Sequence, residues 1–150
     1  MYFIGIDISK FKHDCVVIDD SGEIVTPSWS FTNDSEGFAQ LKILLDSLDA
    51  ETRIGLESTG HYGMNLKLFL ESNNFSFMEF NPLLINRFIK SKSLRKTKND
   101  SIDCMMIARY LMTVEYSGVP HSTDNCSILS CISLCRSDLQ TCRRWFYLFR

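Results

Sequence analysis

The chain lacks any run of about 18 apolar residues, so nothing in it reads as a helix crossing a membrane. It also lacks an N-terminal apolar leader, because Asp7 and Lys10 interrupt that end before one develops. The cytoplasm is therefore the expected compartment. Among its six cysteines there is no Cys-x-x-Cys pair. Cys131, Cys135 and Cys142 fit the spacing of one helix face, but zinc needs paired short spacings. Free thiols are expected, since disulfides are rare in the cytoplasm. What remains is an ordinary soluble composition, 45% hydrophobic and 23% charged over 150 residues, enough chain for one buried core.

Acid is missing from one long stretch. Between Arg87 and Lys98 the charged residues are Arg87, Lys90, Lys92, Arg95, Lys96 and Lys98, all basic. The net charge of -2 thus hides a division, with residues 1–80 at -8 and residues 81–150 at +6. A basic strip of this kind is a solvated loop or a phosphate-binding surface. Its run into Asp100 favours the second.

The pattern of elements is α/β. Tyr2 to Asp7 reads as a buried strand, Asp14 to Asp19 as a second, and Glu23 to Phe31 as a third after the turn Asp20-Ser21-Gly22. Asn33 is a candidate N-cap, with Glu36 three residues on and an apolar face of Phe38, Leu41, Leu44, Leu45 and Leu48. Residues 53–57 form a fourth strand and 61–72 a helix. A fifth strand spans 75–80, a short helix runs from Pro82 to Ile89, a basic loop covers 91–99, and a last helix extends from Asp100 to about Glu115. This order is that of a ribonuclease-H-like mixed sheet with flanking helices.

Four acids stand out. Asp7 and Glu57 each close an apolar strand, where a carboxylate reaches a metal while its backbone stays in the sheet. The competing reading of Asp7 is an acid that merely caps a turn, and that of Glu57 a strand-end glutamate facing water, although the small residues after Glu57 permit close approach by a phosphate. Asp100 and Asp103 lie i,i+3 at a helix start; acids there complement the helix dipole, yet capping needs only one. Converging, the four would bind two oxygen-preferring cations about 4 Å apart and clamp a phosphodiester. His61 is read as a structural helix-start residue and Tyr62 as packing.

Beyond Gly118-Val119-Pro120 the character changes. The last thirty residues contain no Gly, Ala, Val, Lys or Glu, and hold four of the six cysteines, with Cys126 joining the three above. Residues 1–116 are expected to be the domain and 117–150 an atypical tail, disordered or frame-shifted.

Five segments together resemble the N-terminal catalytic domain of the DEDD transposases of bacterial insertion sequences, the group that includes the Piv-type DNA invertases. They are Gly5-Ile6-Asp7-Ile8-Ser9-Lys10, Leu56-Glu57-Ser58-Thr59-Gly60-His61-Tyr62, Phe80-Asn81-Pro82, Lys96-Thr97-Lys98-Asn99-Asp100-Ser101-Ile102-Asp103 and Ile107-Ala108-Arg109-Tyr110. The resemblance covers residues 1–116. It implies a RuvC-like fold, with Asp7, Glu57, Asp100 and Asp103 as catalytic residues and ligands of Mg²⁺, or Mn²⁺ in its place. It implies DNA as partner, a homo-oligomer in the full-length family, and in some members a guide RNA. The family's second domain carries a nucleophilic serine that matches no residue here, so a truncated copy is expected. Two competing functions share the features: a Holliday-junction-type nuclease and a non-catalytic nucleic-acid-binding remnant. The sugar-kinase and actin-like fold also opens on a strand ending in Gly-x-Asp, but needs a second phosphate-binding turn and a longer chain.

Overall fold

The computed structural model describes residues 1–57, 60–92 and 100–117, with only the backbone of 92 and 100–102. The expected tail falls almost wholly outside the described residues, as do the basic residues Arg95, Lys96 and Lys98. The described part belongs to one compact unit, Met1–Pro120. None of its helices is long and apolar enough to cross a membrane.

Five strands form one mixed sheet in the order β3-β2-β1-β4-β5. They are β1 (Tyr2–Ile8), β2 (Lys12–Asp19), β3 (Ile24–Thr32), β4 (Thr52–Glu57) and β5 (Phe77–Phe80). The first three are an antiparallel meander, and β4 and β5 add in parallel on the other side of β1. β3 is an edge strand, which accommodates Pro27 because an edge need not donate every ladder bond. The mixed α/β architecture is the expected one.

Alternation along the strands assigns two core layers. Ile4, Ile6 and Ile8 point to the face covered by α1 (Ser35–Ser47) and α2 (Met64–Ser72), where Phe38, Leu41, Leu66 and Leu70 are fully buried. Phe38 stacks on His13 and Phe69 there. Phe3, Gly5 and Asp7 point to the opposite face, which carries α4 (Asp100–Leu111) packed beside α3 (Pro82–Lys92). That layer joins Phe3, Val16, Ile18 and Phe80 to Ile85, Cys104, Ile107, Ala108 and Leu111.

Several expected boundaries move. The cap of α1 is Asp34, not Asn33: the Asp34 carboxylate accepts from the amides of Glu36 and Gly37 at 3.1 and 3.0 Å. Asn33 instead donates its amide to the carbonyls of Lys10 and Tyr62, tying two loops together. The helix expected from His61 opens as a 3-10 turn, Gly60–Gly63, and becomes α-helical at Met64. β5 starts at Phe77 rather than Phe75, because Asn74 sits at φ 60° and Phe75 donates back to Leu70 to close α2. α3 continues to Lys92 rather than Ile89, so Lys90 and Lys92 of the basic strip join Arg87 on the helix. α4 stops at Leu111, with Thr113 donating both its amide and its hydroxyl to Tyr110. Cys15 and Cys104 are buried free thiols.

Candidate metal centre

The sheet register lines up its polar strand ends in one transverse row. Ser30 of β3 pairs with Asp14 of β2, and Asp14 with Asp7 of β1. Ile6 pairs with Leu56, so one step further Asp7 of β1 stands level with Glu57 of β4. Residues level across a sheet project to one face. Three carboxylates therefore share the face that α4 covers, at the carboxyl ends of the parallel strands β1 and β4.

The row beneath contains Gly5 and Gly55, paired with each other. A Cβ at Gly5 would lie 2.6 Å from the Ala108 amide nitrogen, and one at Gly55 2.8 Å from the Phe80 ring and 3.3 Å from Ile107. These glycines let α4 lie directly on the strands. Their positions also set its direction. The far end of the segment is tied to the start of the strands: Tyr116 donates to the Ser76 carbonyl at 2.8 Å, and Arg53 stacks over its ring at 5.2 Å. Cys104, near the start of α4, meets Gly5 of β1 and Ser28 of β3, and Ile107 and Leu111, further along, lie over Gly55 of β4.

Burial raises the Cys104 thiol pKa, its hydrogen bond with Ser28 opposes the rise, and the negative charges of Asp14 and Asp7 add to it. Of the row, Asp14 and Asp7 are the carboxylates felt at Cys104.

Of the expected site residues, Asp7 and Glu57 lie at the carboxyl ends of adjacent strands, and Asp103 is half-buried on α4. Asp7, Glu57 and Asp103 all have partners of their own. Asp100 begins α4, and its side chain is outside the described residues. Among the described residues, no three His, Cys, Asp or Glu groups stand close enough to hold an ion by themselves. The donor set still fits a hard divalent cation, being all carboxylate oxygen with no soft ligand. Arg87 and Lys90 are exposed on α3. His61 is exposed, and Tyr62 is 48% exposed rather than packed, because it sits on the 3-10 turn outside both core layers.

Sequence reasoning missed Asp14, which it took only as the start of β2. Asp14 is 7% exposed, accepts a hydrogen bond from the Ser30 hydroxyl, and lies 3.6 Å from the Lys12 ammonium. The usable signal was hairpin symmetry: with Ile8 opposite His13, Asp7 must face Asp14.

A five-stranded mixed sheet with strand-end carboxylates under a helix is the ribonuclease-H-like arrangement of RuvC-type nucleases. Among solved structures, the chain is similar to T. thermophilus RuvC in complex with Holliday junction substrate, with a TM-score of 0.52 at 10% identity, covering 72% of this chain and 90% of that one. That likeness shows the fold. A family model described as transposase, of the IS110-type DEDD kind, matches residues 4–145, and the chain belongs to that family. The match runs past residue 116, where the sequence resemblance ended. Two relatives are the pilin gene-inverting proteins of Moraxella lacunata and Moraxella bovis, each 32% identical over 112 residues, 72% of this chain and 33% of the relative. The chain spans about a third of the length of these curated relatives. DEDD transposases and RuvC-like nucleases generally use divalent metal ions.

Proposed function

We propose that this chain is the catalytic domain of a DNA transposase or site-specific recombinase of an insertion sequence, working with Mg²⁺ or Mn²⁺ in the cytoplasm. The observation that supports it most is that Asp7 and Glu57 stand at the carboxyl ends of the adjacent parallel strands β1 and β4, in a chain of the transposase family. Asp7, Glu57, Asp100 and Asp103 would hold the cation. Bound there, a divalent ion supplies charge neutralisation at a phosphodiester and an activated water or hydroxyl. The chain's own part is positional. β1 and β4 fix two carboxylates through the sheet backbone, and Gly5 and Gly55 seat the helix that carries Asp103.

DNA is the partner this reading requires. Arg87 and Lys90 on α3, with Lys92, Arg95, Lys96 and Lys98 following in the sequence, offer a positive run leading into Asp100. A guide RNA and self-association belong to the same proposal as further partners.

The direct test is a metal titration read by thermal unfolding. Mg²⁺ or Mn²⁺ raises the melting temperature of the wild-type chain, because an ion that binds only the folded state stabilises it. Asp7→Asn abolishes the rise. A melting temperature insensitive to both ions, or a rise that survives in Asp7→Asn, overturns the metal centre.

A further inference from the structure

Two aromatic side chains lie exposed at the end of the sheet where β1 and β4 finish. Phe11, in the turn between β1 and β2, is 76% exposed, and Tyr62, on the 3-10 turn after β4, is 48% exposed. Single exposed apolar residues are ordinary, but these two are tied together. Asn33 donates its backbone amide to the Phe11 carbonyl at 2.9 Å, and its side-chain amide to the carbonyls of Lys10 and Tyr62 at 3.2 and 3.0 Å. Gly63 closes the same junction. A Cβ there would come within 2.8 Å of the Ile8 side chain, so the 3-10 turn sits against the end of β1. Both rings thus project from backbone that is held. Lys10 sets its ammonium over one face of the Phe11 ring, 4.9 Å from its centre, and the ring's exposure leaves the opposite face to solvent. Among the described residues Lys10 enters no ion pair.

We propose that Phe11 and Tyr62 are a stacking platform for unpaired bases of the DNA strand, with the Lys10 ammonium meeting the adjoining phosphate. The proposal rests on DNA as the partner and is independent of the metal centre. Every base has a π-face, so a ring held in place takes an unpaired base whatever its identity. Removing such a ring weakens binding about 5- to 150-fold. A base inside a duplex has both faces covered by its neighbours and offers these rings nothing to stack on. The surroundings favour a nucleic acid over an apolar protein partner. The chain neighbours of the two rings are Lys10, Lys12, His61 and Gly63, cationic, polar or small rather than aliphatic. A phosphate is drawn to a cation that no carboxylate neutralises.

Fluorescence anisotropy on the full chain tests this, with oligo(dT) as the unpaired strand and a mixed-sequence duplex as the paired one. Phe11→Ala lowers affinity for oligo(dT) about 5-fold or more and leaves the duplex unchanged, and Tyr62→Ala does the same. Phe11→Trp keeps a ring and retains the affinity, and its added tryptophan emission is quenched when oligo(dT) binds. A ring that only packed on the hairpin would give a lower melting temperature in Phe11→Ala with oligo(dT) affinity intact, and that result overturns the proposal. So does an equal loss for both probes. A Phe11-dependent preference for oligo(U) over oligo(dT) overturns it too, by assigning the platform to RNA. The two readings fail separately. If neither DNA probe binds, DNA is not the partner and the platform falls with it. If the duplex binds in a salt-sensitive way while oligo(dT) is indifferent to Phe11, only the platform fails.

Discussion

Gly5 of β1 lies directly under the backbone of α4 at Cys104, so close that a Cβ there would collide with the Cys104 carbonyl and approach the Ala108 amide to 2.6 Å. The strand and the helix touch main chain to main chain, and this contact sets how closely α4 lies on β1.

Gly5→Ala should accordingly be severe. The obstacle is backbone, which cannot rotate away, so the cost is expected at about 3 kcal/mol or more, at the upper end of overpacking changes. Gly55→Ala meets mainly the Phe80 ring and the Ile107 side chain, at 2.8 and 3.3 Å, which can give way. Its cost should be smaller. Thermal unfolding of both variants checks the order, and equal losses would refute this account of helix seating.

The exchange of roles between Asn33 and Asp34 is separable by pH. The Gly37 amide, the Thr32 hydroxyl and the Glu36 amide hold the Asp34 carboxyl below its ordinary pKa. Its stabilisation is therefore present above the ordinary carboxylate range and lost as pH falls through the depressed folded value. Asp34→Ala should cost about 1 kcal/mol at neutral pH, and the gap to wild type should close in acid. Asn33→Ala should show no such closure, since its amide does not titrate. Urea unfolding across the acid range distinguishes them.

A second pH effect comes from His13, which is fully buried between Phe31 and Phe38. Burial lowers its pKa, outweighing a side-chain interaction with Asn33 and the nearby Asp14 charge, which both raise it. A histidine with a depressed folded pKa is neutral when folded and takes up a proton more readily when unfolded. Stability should thus be full above the ordinary histidine pKa and decline as pH falls below it. Replacing it by Gln should flatten the decline between about pH 7 and 5.5, where an unperturbed histidine titrates. A slope unchanged by His13→Gln would assign the effect to other groups.

Binding to DNA should depend steeply on salt, each phosphate contact contributing about 0.7–0.9 to the log–log slope. Replacing Arg87, Lys90 and Lys92 on α3 by Ala should flatten the slope by up to the number of contacts removed. The same should hold for Arg95, Lys96 and Lys98. Fluorescence anisotropy over a salt series measures this, and an unchanged slope would reduce the run to a solvated surface.

The existence and order of the elements were legible because each announces itself locally. β1 and β4 are short apolar runs with an acid at or next to the carboxyl end, α1 has a periodic apolar face, and Pro82 opens α3. Asp7 and Glu57 could be named as strand-end acids for the same reason. The Asn33 cap was misplaced by one residue because Asn and Asp are both good caps, and the choice turned on a distant loop, where Lys10 and Tyr62 offered Asn33 carbonyls to bind.

Other features needed the folded chain. Asp14 looked like any polar strand start until the β1–β2 register set it against Asp7. The glycines at 5 and 55 looked like weak strand positions until α4 was laid across them. By itself the sequence determined which residues are apolar, where the chain turns, and which acids end strands, since these are properties of neighbours along the chain. Only the tertiary structure decided which strands lie side by side, which face each acid shares, and how near a helix comes. Those depend on pairings between segments up to about a hundred residues apart, which no local periodicity encodes.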